Sequence, residues 1–323
     1  MESLQNIKRR AKSVKNIGQI TKAMELVAAT KMRRSQEIAL ASRPYAFASL
    51  DFLANLARLH QNYGGQARLG DIEIPPLLQK REIRKTALVL VTSDKGLAGS
   101  FNSAVIRDFE KFLKQEKTLS PNPSTLNPVF ISVGQKAANY LQKRFTLAHK
   151  FLRAGDFTTI EEVKPIAELL VSGYLEKKWD SVIVFSTHFR SALRQEPLRR
   201  VALPVDFESI KKTAEEIIPQ TGRFSEFKQS SVISHQSSVD YLIEPSPEAV
   251  LNELVPHLVT MQIYHLILEA NASEHAARRL AMKNASDNAD DLGSKLNLEY
   301  NKSRQASITR EIIEITSGVE SLR

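Results

Sequence analysis

The sequence predicts an α/β fold in which both chain ends join in a long antiparallel two-helix coiled coil and the middle forms an α/β domain. Three observations carry this. Both ends are free of proline: Pro44 is the first and Pro256 the last, and eleven of the 13 prolines lie strictly between them. Each end repeats apolar residues at helical spacing in a stripe narrower than a globular core face. Between Arg84 and about Ser246, apolar runs of strand length alternate with helical patterns.

The first 43 residues read as one helix, with Leu4, Ile7, Ala11, Val14, Ile17, Ile20, Met24, Val27 and Met32 along one stripe. The three-residue steps through Val14, Ile17 and Ile20 depart from a strict heptad and predict a local disturbance of the supercoil. Pro44 removes a backbone hydrogen bond and kinks or ends the helix. Leu50, Phe52, Leu53, Leu56 and Leu59 continue a helical pattern up to Gly64-Gly65.

The middle supplies strands at 86–91, 128–133 and 181–185, and helices over 102–117, 135–143 and 160–176. That alternation predicts a mainly parallel, Rossmann-like sheet with helices packed on it. Residues 201–238 are too polar to read and are expected to be partly loop, and Tyr241-Leu242-Ile243 resembles a last strand. Ser246-Pro247-Glu248 then places an N-cap before proline at the first helical position. From there helix runs almost to the end, interrupted by Pro256, Gly293 and Gly318. Its face is drawn through Val250, Leu254, Leu258, Met261, Leu268, Ala272, Leu280, Leu292, Leu296, Ile308, Ile312, Ile315 and Val319. Residues 257–317 alone would span about 90 Å. A helix of that length needs a second helix beside it, and the N-terminal one is the available partner, shorter, so that the last turns stand alone. The predicted division is 1–60, 61–245 and 246–323.

Composition narrows the function. Cysteine is absent, which removes disulfides, thiolate nucleophiles and cysteine-held metals. No apolar run approaches the ~18 residues of a membrane span, and the N-terminal Met1-Glu2-Ser3-Leu4-Gln5 lacks the apolar core of a signal peptide. The histidines His257, His265 and His275 offer no metal-ligand spacing, and no serine, histidine and aspartate order suggests a triad. Thr92–Ser100, a turn after the first strand, lies where α/β domains cradle phosphate, but it matches neither nucleotide-binding glycine motif and reads as a structural turn. The chain is therefore expected to be non-catalytic, with no cofactor and no metal.

Charge is the stronger signal. Residues 1–43 hold ten basic side chains against Glu2, Glu25 and Glu37, so this helix supplies seven of the chain's nine net positive charges. Solvation is the plain explanation. An acidic protein surface is the sharper one, and nucleic acid is disfavoured because no aromatics interleave with the charges.

Two long motifs carry a resemblance. Ile7–Arg10 and Lys15–Arg34 at one end, and Glu274–Ala289 with Leu298–Glu311 at the other, resemble the γ subunits of F-type ATP synthases, as does the Ser93-Asp94-Lys95-Gly96-Leu97 turn. Where that family's turn commonly continues with cysteine and glycine, this chain has Ala98 and Ser100. The missing cysteines and the plain N-terminus point to a bacterial member.

The resemblance implies a rotor. In that family the coiled coil occupies the centre of a ring of three α and three β subunits, and the α/β domain grips the ε subunit and the membrane c ring. It implies peripheral attachment at the cytoplasmic face of the cell membrane through the complex, without insertion. It also implies partner contacts along the helices: Arg9, Arg10, Lys22, Arg33 and Arg34 toward the β subunits, Met24, Arg304, Gln305 and Thr309 toward the hexamer, and the apolar tip with Ile312 and Ile315 toward its collar. The alternatives are a stand-alone coiled-coil scaffold, an α/β enzyme that oligomerises through its helices, and a basic coiled coil for nucleic acid, though none of these accounts for the end-to-end motifs.

Overall fold

The computed structural model describes residues 3–41, 75–79, 81–119, 127–153, 159–205 and 246–320. The predicted Pro44 kink, the pattern over Leu50–Leu59, the Gly64-Gly65 stop, the strand at Tyr241–Ile243 and the span 206–238 lie outside these residues. The described elements are α1 (Leu4–Ala41), β1 (Lys85–Val91), α2 (Phe101–Leu119), β2 (Asn127–Val133), α3 (Gln135–Gln142), β3 (Leu147–Phe151), α4 (Ile160–Leu175), β4 (Ser181–Phe189), β5 (Gln195–Leu203) and α5 (Pro247–Glu320). Among the described residues no helix is long and apolar enough to cross a membrane. The chain divides into two compact units, Thr30–Ala277 and the pair of segments Met1–Ala29 with Arg278–Arg323.

The first unit holds a five-stranded sheet in the order β3-β2-β1-β4-β5. β1 pairs in parallel with β2 and β4, β2 pairs in parallel with β3, and β5 runs antiparallel to β4. The sheet is thus parallel in the main, as the alternation of strands and helices predicts. β1 lies at its centre and is buried at every residue after Lys85, which is why its sequence is a continuous apolar run. The two-residue period divides it between two cores. Ala87, Val89 and Val91 face a cluster with Ile166 and Leu170 of α4 and Leu258, Leu266 and Ile267 of α5. Leu88 and Leu90 face Val105, Phe109 and Phe112 of α2 and Leu141 of α3. Phe109 packs edge-on against Phe185 at 5.1 Å and Phe130 at 6.2 Å, filling the second core with directional ring contacts.

Two strands escape sequence reading. β3, Leu-Ala-His-Lys-Phe, is an edge strand with an exposed middle. β5 takes in Val201–Leu203, from the stretch expected to be partly loop, and carries Pro197 and Arg199-Arg200 on a sheet edge, where proline and charge are tolerated.

α5 is a single helix from Pro247 to Glu320, so Pro256, Gly293 and Gly318 do not break it. Near Pro256 the buried Val255, Leu258 and Val259 hold the backbone in the core; a helical glycine costs only about 1 kcal/mol against alanine. Residues 261–276 are all buried, the pattern of a helix packed on every side.

In the second unit, α1 buries Ile7, Gly18, Thr21, Glu25 and Ala28, with Leu4, Ala11 and Val14 half-buried. From Ile7 to Ala28 these positions step by alternating fours and threes, a regular heptad. The expected stripe is corrected here: Ile17, Ile20 and Val27 are exposed, and the inward line passes through small and polar residues instead. The three-residue steps therefore interrupt nothing. On α5, Met282, Ser286, Ala289 and Leu296 are buried, whereas Leu280 and Leu292, assigned to the inner face from sequence, are exposed. A side chain at Gly18 would meet Ala289 Cβ at 3.3 Å, and one at Gly293 would meet Val14 Cγ1 at 3.9 Å. Positions rising along α1 thus match positions falling along α5. Residues 308–318 are exposed throughout.

Candidate functional site

The turn after β1 occupies the C-terminal end of the parallel strands, the usual place for a ligand in such sheets. Its polar groups are spent on the fold. The Asp94 carboxylate accepts a hydrogen bond from the Gln135 N–H at 3.0 Å, and Thr92 Oγ1 accepts one from Ala137 N–H at 2.7 Å. Ser93 O accepts from Lys136 N–H at 3.1 Å. The first N–H groups of α3 therefore meet a carboxylate, a hydroxyl and a carbonyl, an arrangement that opposes a bound phosphate. Asn102 ties the other side by accepting from Ser93 N–H at 3.0 Å. Among the described residues no cluster of histidine and carboxylate side chains has the geometry of a metal site.

The candidate contact residues stand on the outer faces of the two long helices. In the unit of the chain ends, Arg9, Arg10 and Lys22 are exposed and Met24 is half-buried. Arg304, Gln305, Thr309, Ile312 and Ile315 are exposed as well, the last two at 56% and 67%. Arg33 and Arg34 are exposed in the unit that holds the sheet. Some of these groups have local partners. Arg9 Nη2 donates to Asn6 Oδ1 at 3.2 Å, and Thr309 Oγ1 donates to the Gln305 carbonyl at 2.9 Å. Lys22 Nζ pairs with Glu25 at 3.0 Å. The hydrogen bond and charge of Glu25 hold the Lys22 ammonium above its ordinary pKa.

Two features eluded the sequence reading. The first is the exposed row Ile17, Ile20 and Val27, at 51%, 60% and 56%, with Met24 between them. Its three- and four-residue spacing makes a second apolar face beside the buried one. The usable signal was Gly18, whose lack of a side chain fits only the closely approached line. The second is an open groove of about 620 Å³ in the same unit, lined by Leu4, Ile7 and Leu298 together with Lys295, Glu299, Lys302 and Arg310. Basic residues beside apolar ones give this unit a surface suited to an acidic, partly apolar protein partner.

The whole chain has known relatives. The family model described as ATP synthase matches residues 3–322. The ATP synthase gamma chain of Chloroflexus aurantiacus is 37% identical over 324 residues, covering 100% of this chain and 99% of that one. That of Trichlorobacter lovleyi is 34% identical over 325 residues and covers both chains in full. Among solved structures, a chain of the Euglena gracilis mitochondrial ATP synthase, determined by cryo-EM with OSCP, F1 and c-ring in rotational state 3, is similar in fold. Its TM-score is 0.60 at 17% identity, covering 99% of this chain and 94% of that one. Matched from end to end at this level of identity, the chain belongs to the ATP synthase gamma chain family.

Proposed function

We infer that the chain is the central rotor shaft of an F-type ATP synthase, a non-catalytic subunit that couples ion-driven rotation of a c ring to ATP synthesis or hydrolysis in an α3β3 hexamer. The full-length match to gamma chains carries this reading. A stand-alone coiled-coil scaffold is not favoured, because it leaves that match without a cause.

The finer reading follows from the residues. The two heptad lines, with Gly18 against Ala289 and Val14 against Gly293, form the seam of an antiparallel coiled coil. The proposed division, read from the sequence pattern, is an N-terminal helix over 1–60, an α/β domain over 61–245 and a C-terminal helix over 246–323. Arg9, Arg10, Lys22, Arg33 and Arg34 meet the β subunits, Met24 meets the hexamer, and Arg304, Gln305, Thr309, Ile312 and Ile315 meet it nearer the tip. The α/β domain binds the ε subunit and the c ring, which holds the chain at the cytoplasmic face of the membrane without insertion.

The coupling is a matter of differential binding. A shaft whose faces differ presents basic groups to one β subunit and apolar groups to another. Each β subunit is then biased toward a different nucleotide affinity, and turning the shaft exchanges those biases.

Reconstitution of the chain with α and β subunits of the same source tests this. The expected result is a stable assembly containing one copy of the chain and faster multisite ATP hydrolysis than α3β3 alone, with coupling weakened by Arg304→Glu. A chain that neither joins the hexamer nor changes its turnover would sink the reading.

A further inference from the structure

Within the unit Thr30–Ala277, one buried histidine–glutamate pair has no part in the contact surfaces above. His188, at the end of β4, places Nδ1 3.0 Å from Glu269 Oε2 on α5, and the two side chains are 4% and 7% exposed. One turn further along α5, the Ser273 hydroxyl lies 3.5 Å from the Thr187 carbonyl. The other carboxylate oxygen, Glu269 Oε1, is buried and takes no hydrogen bond among the described residues. Beside Glu269 is a cavity of about 20 Å³ bounded by Ser35, Gln36 and Ala39 of α1 and by Phe189, space for a single water.

Glu196 stands opposite His188 on β5, but its carboxylate is taken by Arg190 at 3.2 Å and Arg194 at 2.6 Å. His265, one turn before Glu269, is neutral at pH 7 because burial pushes its pKa down to about 4. Ser35 and Gln36, which line the cavity beside Glu269, are uncharged.

A buried polar pair adds little net stability, since desolvation offsets most of its attraction; its best-attested use is to fix one geometry. That use matters here. Around Glu269 the helix packs through Leu268, Ala270, Ala272 and Ala276, three of them alanines whose short side chains interlock little with their neighbours. A hydrogen bond is directional. We propose that His188 and Glu269 key α5 to the sheet against rotation about its own axis, acting as positioning residues for torque transfer. This rests on the rotor reading above and names the pair through which the α/β domain turns the long helix.

The test uses the whole membrane complex in vesicles, comparing ATP hydrolysis with ATP-driven ion uptake for wild type, Glu269→Met, the double variant His188→Leu with Glu269→Met, and His188→Gln. The two Met variants keep the approximate side-chain volume but lose the hydrogen bond, whereas His188→Gln keeps a donor for Glu269. The Met variants are expected to assemble and hydrolyse ATP within about twofold of wild type, with uptake per ATP lowered at least threefold, while His188→Gln keeps the wild-type ratio. A purely structural pair predicts that the double variant, which leaves neither polar group without its partner, couples normally. Wild-type uptake per ATP in either Met variant overturns the proposal. A wild-type complex that neither assembles nor pumps would count against the rotor reading instead.

Discussion

Asp94 accepts a hydrogen bond from the backbone N–H of Gln135 at 3.0 Å, so the turn after β1 caps a helix that follows the neighbouring strand. Forty-one residues of sequence separate the two groups. Removing a capping side chain costs about 1 kcal/mol. Asp94→Ala is therefore expected to lower the unfolding free energy of the full chain by about that amount, read as a lower urea midpoint at unchanged slope. Thr92→Val, which deletes the acceptor for Ala137 N–H, should do the same. Unchanged midpoints in both would mean that the turn does not hold α3.

Gly173 leaves room for the only tryptophan. A Cβ at this position would stand 2.0 Å from Trp179 Cζ2. The indole is 2% exposed and donates Nε1–H to the Leu170 carbonyl at 3.0 Å. Gly173→Ala must displace that ring, and overpacking of this kind costs about 1–3 kcal/mol. Since Trp179 is the sole tryptophan, its emission is a direct probe: a red shift with reduced stability is expected. A wild-type spectrum would show that the ring does not sit there.

Asp180 predicts an acid-sensitive joint. Burial raises its pKa, but hydrogen bonds from the Arg84 and Lys85 backbone N–H groups and the charge of Arg81 outweigh it, so the net shift is below the ordinary 3.8. Arg81 Nε stands 2.8 Å from the carboxylate, and its guanidinium lies 4.0 Å above the Tyr174 ring. A depressed pKa means stability that is present above the unfolded value and lost as pH falls through the folded one. Wild type should lose stability steadily from about pH 4 downward, and Asp180→Asn should be less stable at neutral pH with a flatter acid limb. Parallel pH profiles for the two proteins would contradict this.

Much of this fold was legible in the sequence because apolar runs mark strands buried on both faces. β1, β2 and β4 announce themselves so. β3 does not, since Ala148, His149 and Lys150 are exposed on an edge, and β5 does not, since Pro197, Arg199 and Val201 face outward. The buried line of α1 was misread for a related reason. Hydrophobicity marks residues that water excludes, and on α1 the closest approach to α5 is made by residues too small or too polar to be noticed. Thr21 satisfies its hydroxyl on the Ile17 and Gly18 carbonyls, both at 3.0 Å, and Glu25 on Lys22. The exposed Ile17, Ile20 and Val27 were the louder signal and belong to a surface. His188 and Glu269 had no signal at all, because β4 and α5 meet only in the folded chain.

The last prediction separates those two faces of α1. A side chain at Gly18 meets Ala289 at 3.3 Å, so Gly18→Leu has no space without parting the helices. Gly18→Ala needs only a few tenths of an ångström, and its helix propensity gain of about 1 kcal/mol offsets part of the crowding. Ile20 is 60% exposed, so replacing it changes little in the isolated chain, typically within about 0.5 kcal/mol. The two substitutions should therefore divide by readout. Gly18→Leu is expected to lower the melting temperature of the isolated chain. Ile17→Ser with Ile20→Ser should leave that temperature nearly unchanged while weakening association with α and β subunits at least tenfold. If the serine pair destabilises the isolated chain as much as Gly18→Leu does, the inward line runs through Ile17 and Ile20 after all. If it leaves both stability and association untouched, the exposed row is not a contact surface, and the basic side chains alone hold the hexamer.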